Sequence, residues 1–352
     1  MQTEILSPTP EALDRAAALI RSGDLVAFPT ETVYGLGADA LNPEAVERIF
    51  AAKGRPGDNP LIAHIADLAA LEPLIRGGIG PLPRKLAEAF WPGPMTMIFP
   101  KSERVPLQVT AGLSTVAVRM PSHPTARALI RAADTPIAAP SANRSGRPSP
   151  TTAQHVLDDM QGRIPLILDG GPCAVGLEST VLDVTGEIPR ILRPGGVTRE
   201  MIEAAVGGCL VDPAVMRPLR EGEKPRSPGM KYRHYAPRGS LTIVTGKEED
   251  VARDICRRYD RALTEGARPL ILALQGHLPQ YGSRRALSLG EDPEEMARRI
   301  FDRLREADEL GADVLFSEAV EDRGIGLAVM NRLGRAAAFH IVQADLDERG
   351  ET

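Results

Sequence analysis

Five short stretches hold the side chains that could bind a ligand or react with it. Residues 53–61, KGRPGDNPL, place Lys53, Arg55 and Asn59 in a loop stiffened by prolines and glycines. Lysine supplies a point charge and arginine a planar fork, a pairing suited to phosphate oxygens. Cations at a helix end also meet its dipole, so this segment alone supports an anion loop and a simple cap equally. Residues 115–121, TVAVRMP, begin with Thr115 and set Arg119 at the end of an apolar run. A cation there is costly unless an anion meets it, and an internal salt bridge is the simpler partner. Residues 139–149 carry Ser141, Asn143 and Ser149, donors that suit phosphate or carboxylate but also an ordinary Ser/Asn-rich turn. Residues 176–180, GLEST, add Ser179, with Arg190 and Arg193 downstream. No general base stands beside these serines, which argues against a serine nucleophile.

The fifth stretch, residues 29–40 (PTETVYGLGADA), exposes Thr30, Glu31 and Thr32 after a strand and contains Gly35-x-Gly37-x-x-Ala40. A dinucleotide fingerprint needs its helix to open inside the glycine run. The next helix signal comes only at Asn42-Pro43, so that reading is rejected in favour of a glycine turn or a ligand loop. Nothing fits a phosphate-binding GxxxxGK[ST] loop. His64 lies inside an apolar strand pattern, where a packed histidine is the commoner case. Cys173 has no histidine nearby and reads as buried and inert.

These stretches are positioned by alternating strands and helices. A helix capped by Thr9-Pro10 runs to about Arg21, and one opened by Asn42-Pro43 runs to about Lys53. Strands are expected at 25–28, 61–65, 95–99, 116–119, 166–168 and 181–184. The mixture gives an α/β or α+β domain over residues 1–206. Residues 207–239 read as a Pro-rich basic linker, with seven Lys/Arg against two Glu between positions 217 and 238. Residues 240–346 regain a strand–helix rhythm, with Val251, Ile255 and Leu263 expected on one helix face, and Met296, Ile300, Leu304 and Ala307 on another. Strands at 241–244, 269–274, 314–316 and 339–342 give a small parallel α/β domain. Residues 347–352 form a tail.

Composition narrows the function classes. The 352 residues are 43% hydrophobic and 25% charged, with a net charge of −5. That is globular, and it excludes a globally basic nucleic-acid coat. Aromatics at 4% argue against an extended base-stacking platform. An RNA-binding module held by the basic linker remains an alternative, against which this composition counts. Three cysteines without CxxC spacing argue against disulfides or structural zinc. The N-terminus has no signal-peptide pattern and no apolar run spans a membrane, so a cytoplasmic protein is expected.

Taken together, PTETVYGLG, KGRPGDNPL with a following His, WPGPMT, VAVRMP, PSAN and GLEST resemble the YrdC-type family in order and approximate spacing. SPGMKYRHYAP resembles the linker of its two-domain members, the L-threonylcarbamoyladenylate synthases. The resemblance implies an open, twisted mixed α/β sheet with a concave basic cavity, plus a smaller Rossmann-like α/β domain. It implies synthesis of L-threonylcarbamoyl-AMP from L-threonine, bicarbonate or CO2, and ATP, with release of pyrophosphate. The product would be handed to a tRNA threonylcarbamoyl transferase, with a weak tRNA contact and no membrane. Lys53 and Arg55 match catalytic, phosphate-neutralising positions. Asn59, Thr115, Ser141, Asn143, Ser149 and Arg193 match further nucleotide positions, and Tyr235 one that closes over the nucleotide. Thr32, His64, Arg119 and Ser179 match positions around threonine. Ala139 departs from relatives that carry a hydroxyl there. Mg2+ is implied with ATP, and no protein metal site.

Overall fold

In a computed structural model, the described residues are 2–217 and 235–344; most of the expected linker and the whole tail lie outside them. The described chain forms two compact units, residues 2–145 with 149–217, and 146–148 with 235–344.

The first unit contains, in chain order, β1 (Glu4–Leu6), α1 (Pro10–Arg21), β2 (Val26–Phe28), β3 (Gly35–Asp39), α2 (Pro43–Lys53), β4 (Ile62–His64), α3 (Pro81–Phe90), β5 (Met95–Pro100), α4 (Leu107–Thr110) and β6 (Thr115–Arg119). It continues with α5 (Pro124–Ala133), β7 (Ile137–Ala138), α6 (Ala153–Met160), β8 (Leu166–Leu168), β9 (Thr180–Asp183), β10 (Arg190–Arg193), α7 (Arg199–Val206) and β11 (Leu210–Val211). Its strands make one mixed sheet in the order β1-β8-β2-β3-β7-β4-β6-β5-β9-β10-β11. The predicted caps form: Thr9 accepts from the Ala12 amide, and Asn42 from the Glu44 and Ala45 amides. Gly54 ends α2 in the left-handed region at φ 61°. Ordered structure runs past residue 206, because Leu210–Val211 pairs in parallel with β10.

The glycine stretch departs from expectation. Gly35 and Gly37 form no turn; they lie in β3, antiparallel to β2. A Cβ on Gly37 would sit 2.7 Å from the Phe28 ring and 2.8 Å from the Ile137 side chain. These glycines serve close packing, which a sequence motif cannot distinguish from a turn.

The β4, β6 and β5 strands build the face that matters most. His64 is in register with Arg119 across the parallel β4/β6 pair, and Thr96 with Arg119 across the antiparallel β5/β6 pair. In-register residues on neighbouring strands share a face, so these three polar side chains make one row. Two residues along, Ile62, Ala117 and Ile98 make a parallel apolar row. With Val181 and Leu192 it forms a cluster distinct from the unit's two larger hydrophobic clusters.

The second unit contains β12 (Ser240–Thr245), α8 (Glu248–Thr264), β13 (Pro269–Ala273), β14 (Ala286–Ser288), α9 (Pro293–Glu309), β15 (Val314–Glu318), α10 (Gly326–Ala336) and β16 (Ile341–Gln343). The sheet is wholly parallel, ordered β14-β13-β15-β12-β16, as an α/β unit requires. Asp292 caps α9, and Met296, Ile300, Leu304 and Ala307 are buried as expected. Leu263 is not: it is 55% exposed, and Tyr259 and Ala262 complete the buried stripe of α8 instead. The last strand starts at Ile341, because Ala338 and Phe339 adopt left-handed φ values of 50° and 60°. Among the described residues no helix is long and apolar enough to cross a membrane.

Candidate active site

Arg119 ends β6 with 3% of its surface exposed, and the internal partner is there. Its Nη2 lies 2.7 Å from Glu31 Oε1, while Nη1 donates to Thr32 Oγ1 at 2.8 Å and Nε to the Gly93 carbonyl at 3.3 Å. Thr32 is held in turn by Thr30, their hydroxyl oxygens 2.8 Å apart. Burial works against the Glu31 carboxylate, but the charge and hydrogen bonding of Arg119, with backbone donors, outweigh it and hold the pKa below the usual range.

His64 is buried beside Arg119, its ring edge-on to Phe28. Its Nδ1 lies 3.1 Å from the Ile62 carbonyl and 3.3 Å from that of Ile137. Both partners only accept, so Nδ1 carries the proton and Nε2 keeps its lone pair. Burial, then the Arg119 charge, pushes the pKa down to about 3. Since an unfolded histidine titrates near 6.5, the unfolded chain takes this proton first. His64 therefore stabilises the fold fully above about pH 6.5, and that contribution is lost as pH falls towards 3. Replacing His64 by Gln should remove up to about 1.4 kcal/mol per pH unit from the slope of unfolding free energy across that window, as read by denaturant titration at several pH values. Slopes identical to wild type would contradict this.

Lys53 does not cap its own helix. It is 4% exposed, and Nζ donates to the Ser141 carbonyl at 2.5 Å and the Asn143 carbonyl at 2.6 Å. Burial and then the Arg55 charge push its pKa well down, against the pull of Asp159 and Glu178. The segment it grips is pinned to β3, with the Leu36 amide donating to Pro140 O and the Ala142 amide to Tyr34 O, both at 2.8 Å. Ser141 Oγ donates to Asn143 Oδ1 at 2.5 Å. At Ala139 the amide donates to Ile62 O at 2.9 Å, and the methyl group is buried in the hydrophobic core.

Arg55 donates to the Asn59 carbonyl at 3.2 Å and lies over the Phe50 ring. Asn59 is fully buried, and neither atom of its side-chain amide has a hydrogen-bond partner among the described residues. A buried amide so placed calls for a ligand or water. Ser149 Oγ donates to Glu178 Oε1 at 2.5 Å, and Arg193 donates to the Ser179 carbonyl through Nε at 3.1 Å and Nη2 at 3.0 Å.

Thus the sheet brings Thr32, His64 and Arg119 together, while Lys53, Ser141 and Asn143 form a second group. Arg55–Asn59, Ser149–Glu178 and Ser179–Arg193 form three further pairs. Thr115 opens β6 on the face that Arg119 closes. Tyr235 belongs to the second unit, where its ring packs 5.1 Å from that of Phe301 and lies under the Arg332 guanidinium. Cys173 is buried as expected, its thiol pushed up to about 12 by burial. The sequence reading gives no role to Glu178 or Thr96, and it expects Thr30, Glu31 and Thr32 to be exposed, whereas all three are buried, Glu31 as the counter-ion of Arg119. For Thr96 the run MTMIF offers no signal, since its apolar residues fall on both faces of β5. Among the described residues no group of three or more His, Cys, Asp or Glu is placed to hold a metal. A separate cavity of about 320 Å³, with Leu41, Leu74, Ile130 and Pro136 in its wall, contains none of the predicted site residues.

The chain is similar to known proteins over nearly its whole length. Residues 18–195 match a family model described as Telomere recombination, and residues 197–338 match Threonylcarbamoyl-AMP synthase, C-terminal domain. The chain is 49% identical to the threonylcarbamoyl-AMP synthase of Pyrococcus abyssi, covering 93% of this chain and 94% of that protein. It is 48% identical to the Bacillus subtilis threonylcarbamoyl-AMP synthase, covering 97% of each. The crystal structure of P. abyssi Sua5 complexed with L-threonine superposes with a TM-score of 0.90 and 46% identity, covering 98% of this chain and 99% of that one. With both domain models matched and near-full-length relatives at such identity, the chain belongs to the threonylcarbamoyl-AMP synthase family.

Proposed function

We propose that this chain is a nucleotidyltransferase that joins L-threonine, bicarbonate (or CO2) and ATP into L-threonylcarbamoyl-AMP, releasing pyrophosphate. The observation that carries the reading is the polar row across β4, β6 and β5, set beside loops rich in cations and amides. Threonine's amine and bicarbonate condense, with loss of water, to N-carboxythreonine. One carbamate oxygen attacks the α-phosphorus of ATP, the bond to the bridging oxygen breaks, and pyrophosphate leaves with the electron pair.

Such a transfer asks the protein for positioning and charge neutralisation more than for covalent chemistry. Arg119 takes the threonine carboxylate as a fork, keeping Glu31 as its buried counter-ion. His64 presents Nε2 as an acceptor, and the Thr32 and Ser179 hydroxyls complete the amino-acid contacts. Lys53, Arg55 and Arg193 neutralise phosphates. Asn59, Thr115, Ser141, Asn143 and Ser149 contact the rest of the nucleotide. Mg2+ would accompany ATP as part of the substrate and share the neutralisation of its phosphates with Lys53, Arg55 and Arg193. The reaction takes place in the cytoplasm, and the adenylate passes to a tRNA threonylcarbamoyl transferase, with a weak tRNA contact.

Pyrophosphate release by the purified protein should require threonine and bicarbonate together. Release at the same rate with either omitted would refute this chemistry.

A further inference from the structure

Thr96 is the third member of the polar row, and it is fully buried. Its neighbours in the row, Arg119 and His64, are assigned to threonine above, whereas Thr96 has no role in that reading. Along β5 the side chains alternate. Thr96 and Ile98 share the face that bears Arg119 and Ala117, while Met95 and Met97 turn into the main core. A lone hydroxyl on a central strand is costly unless it bonds. Thr96 Oγ1 lies 2.7 Å from Ser179 Oγ.

Ser179 is thereby held from two sides, because Arg193 Nη2 also donates to Ser179 Oγ at 3.2 Å. A hydroxyl has one proton and two lone pairs. Arg193 takes one lone pair and Thr96 takes either the second or the proton, so one direction remains for a third partner. We propose that Thr96 is a positioning residue for amino-acid recognition. By engaging Ser179 Oγ, it fixes the direction in which that hydroxyl meets bound threonine. Thr96 acts through Ser179, and the inference rests on the function proposed above.

Thr96→Val removes the hydroxyl at almost constant shape, and Thr96→Ser keeps it. The valine variant should raise KM for threonine about tenfold, the usual effect of one lost hydrogen bond. KM for ATP should stay within twofold, and the serine variant should stay within threefold of wild type in both. Thr96→Ala serves as a second hydroxyl-free variant if the valine protein folds poorly. Threonine affinity by calorimetry without ATP should move in parallel. A threonine KM unchanged in the hydroxyl-free variants would overturn the proposal. So would equal damage by serine and valine, or a rise in KM for ATP in step with that for threonine. A wild-type protein without threonine-dependent pyrophosphate release would instead defeat the proposed function before any variant is compared.

Discussion

Replacing Lys53 by methionine is expected to slow threonine-dependent pyrophosphate release by about 100-fold or more, the usual cost of losing one preorganised charge-stabilising donor. Two effects combine. The charge that would face the phosphates disappears. The carbonyls of Ser141 and Asn143, which Nζ now grips at 2.5 and 2.6 Å, are also left without that donor. Losing a donor to a carbonyl shielded from water costs about 1–3 kcal/mol, so a lower melting temperature should accompany the loss. The two effects separate on a full kinetic curve taken well below the melting point. A variant that melts early yet turns over within threefold of wild type would make Lys53 a brace for the 139–146 segment and nothing more.

Arg119→Ala should cost both stability and turnover. Removing the guanidinium strands the buried Glu31 carboxylate, and breaking a buried pair from one side costs about 3–5 kcal/mol. Without its counter-ion the Glu31 pKa should rise, so the variant should lose less stability in acid than the wild type does. The double variant Arg119→Met/Glu31→Gln removes both charges, and chemical denaturation should show most of the lost stability restored. Threonine-dependent turnover should stay down at least 100-fold in both variants, because no fork remains for the carboxylate. Recovery of turnover in the double variant would show that Arg119 serves only its internal partner.

Much of this architecture was legible from residues 1–352 because it rests on local signals. The caps at Thr9, Asn42 and Asp292 are short-range chemistry, and they start helices where expected. Arg119 and His64 were legible as polar residues in apolar runs. Gly37 was not, because the reason for it is the packing of the Phe28 ring from the paired strand β2 and of Ile137, which is distant in sequence. Leu263 was misplaced through periodicity: at about 100° per residue, twelve positions beyond Val251 put it about 120° off the stripe. Thr96 was hidden because MTMIF has apolar residues on both faces, so alternation marks nothing until the partner strands are known. Lys53 was ambiguous for a similar reason: its partners lie 88 and 90 residues away.

Strand β6 also fixes a length. Thr115 and Arg119 sit at opposite ends of one five-residue strand, on the same side of its pleat. At about 3.3 Å per residue, the gap between them is a fixed ruler of about 13 Å. Point changes nearby can swap a contact at either end, but they cannot stretch the interval. Inserting or deleting one residue within it would rotate one of the two out of line. Evolution or engineering towards a bulkier amino acid must therefore find its room in the surrounding loops and leave the length of this strand alone.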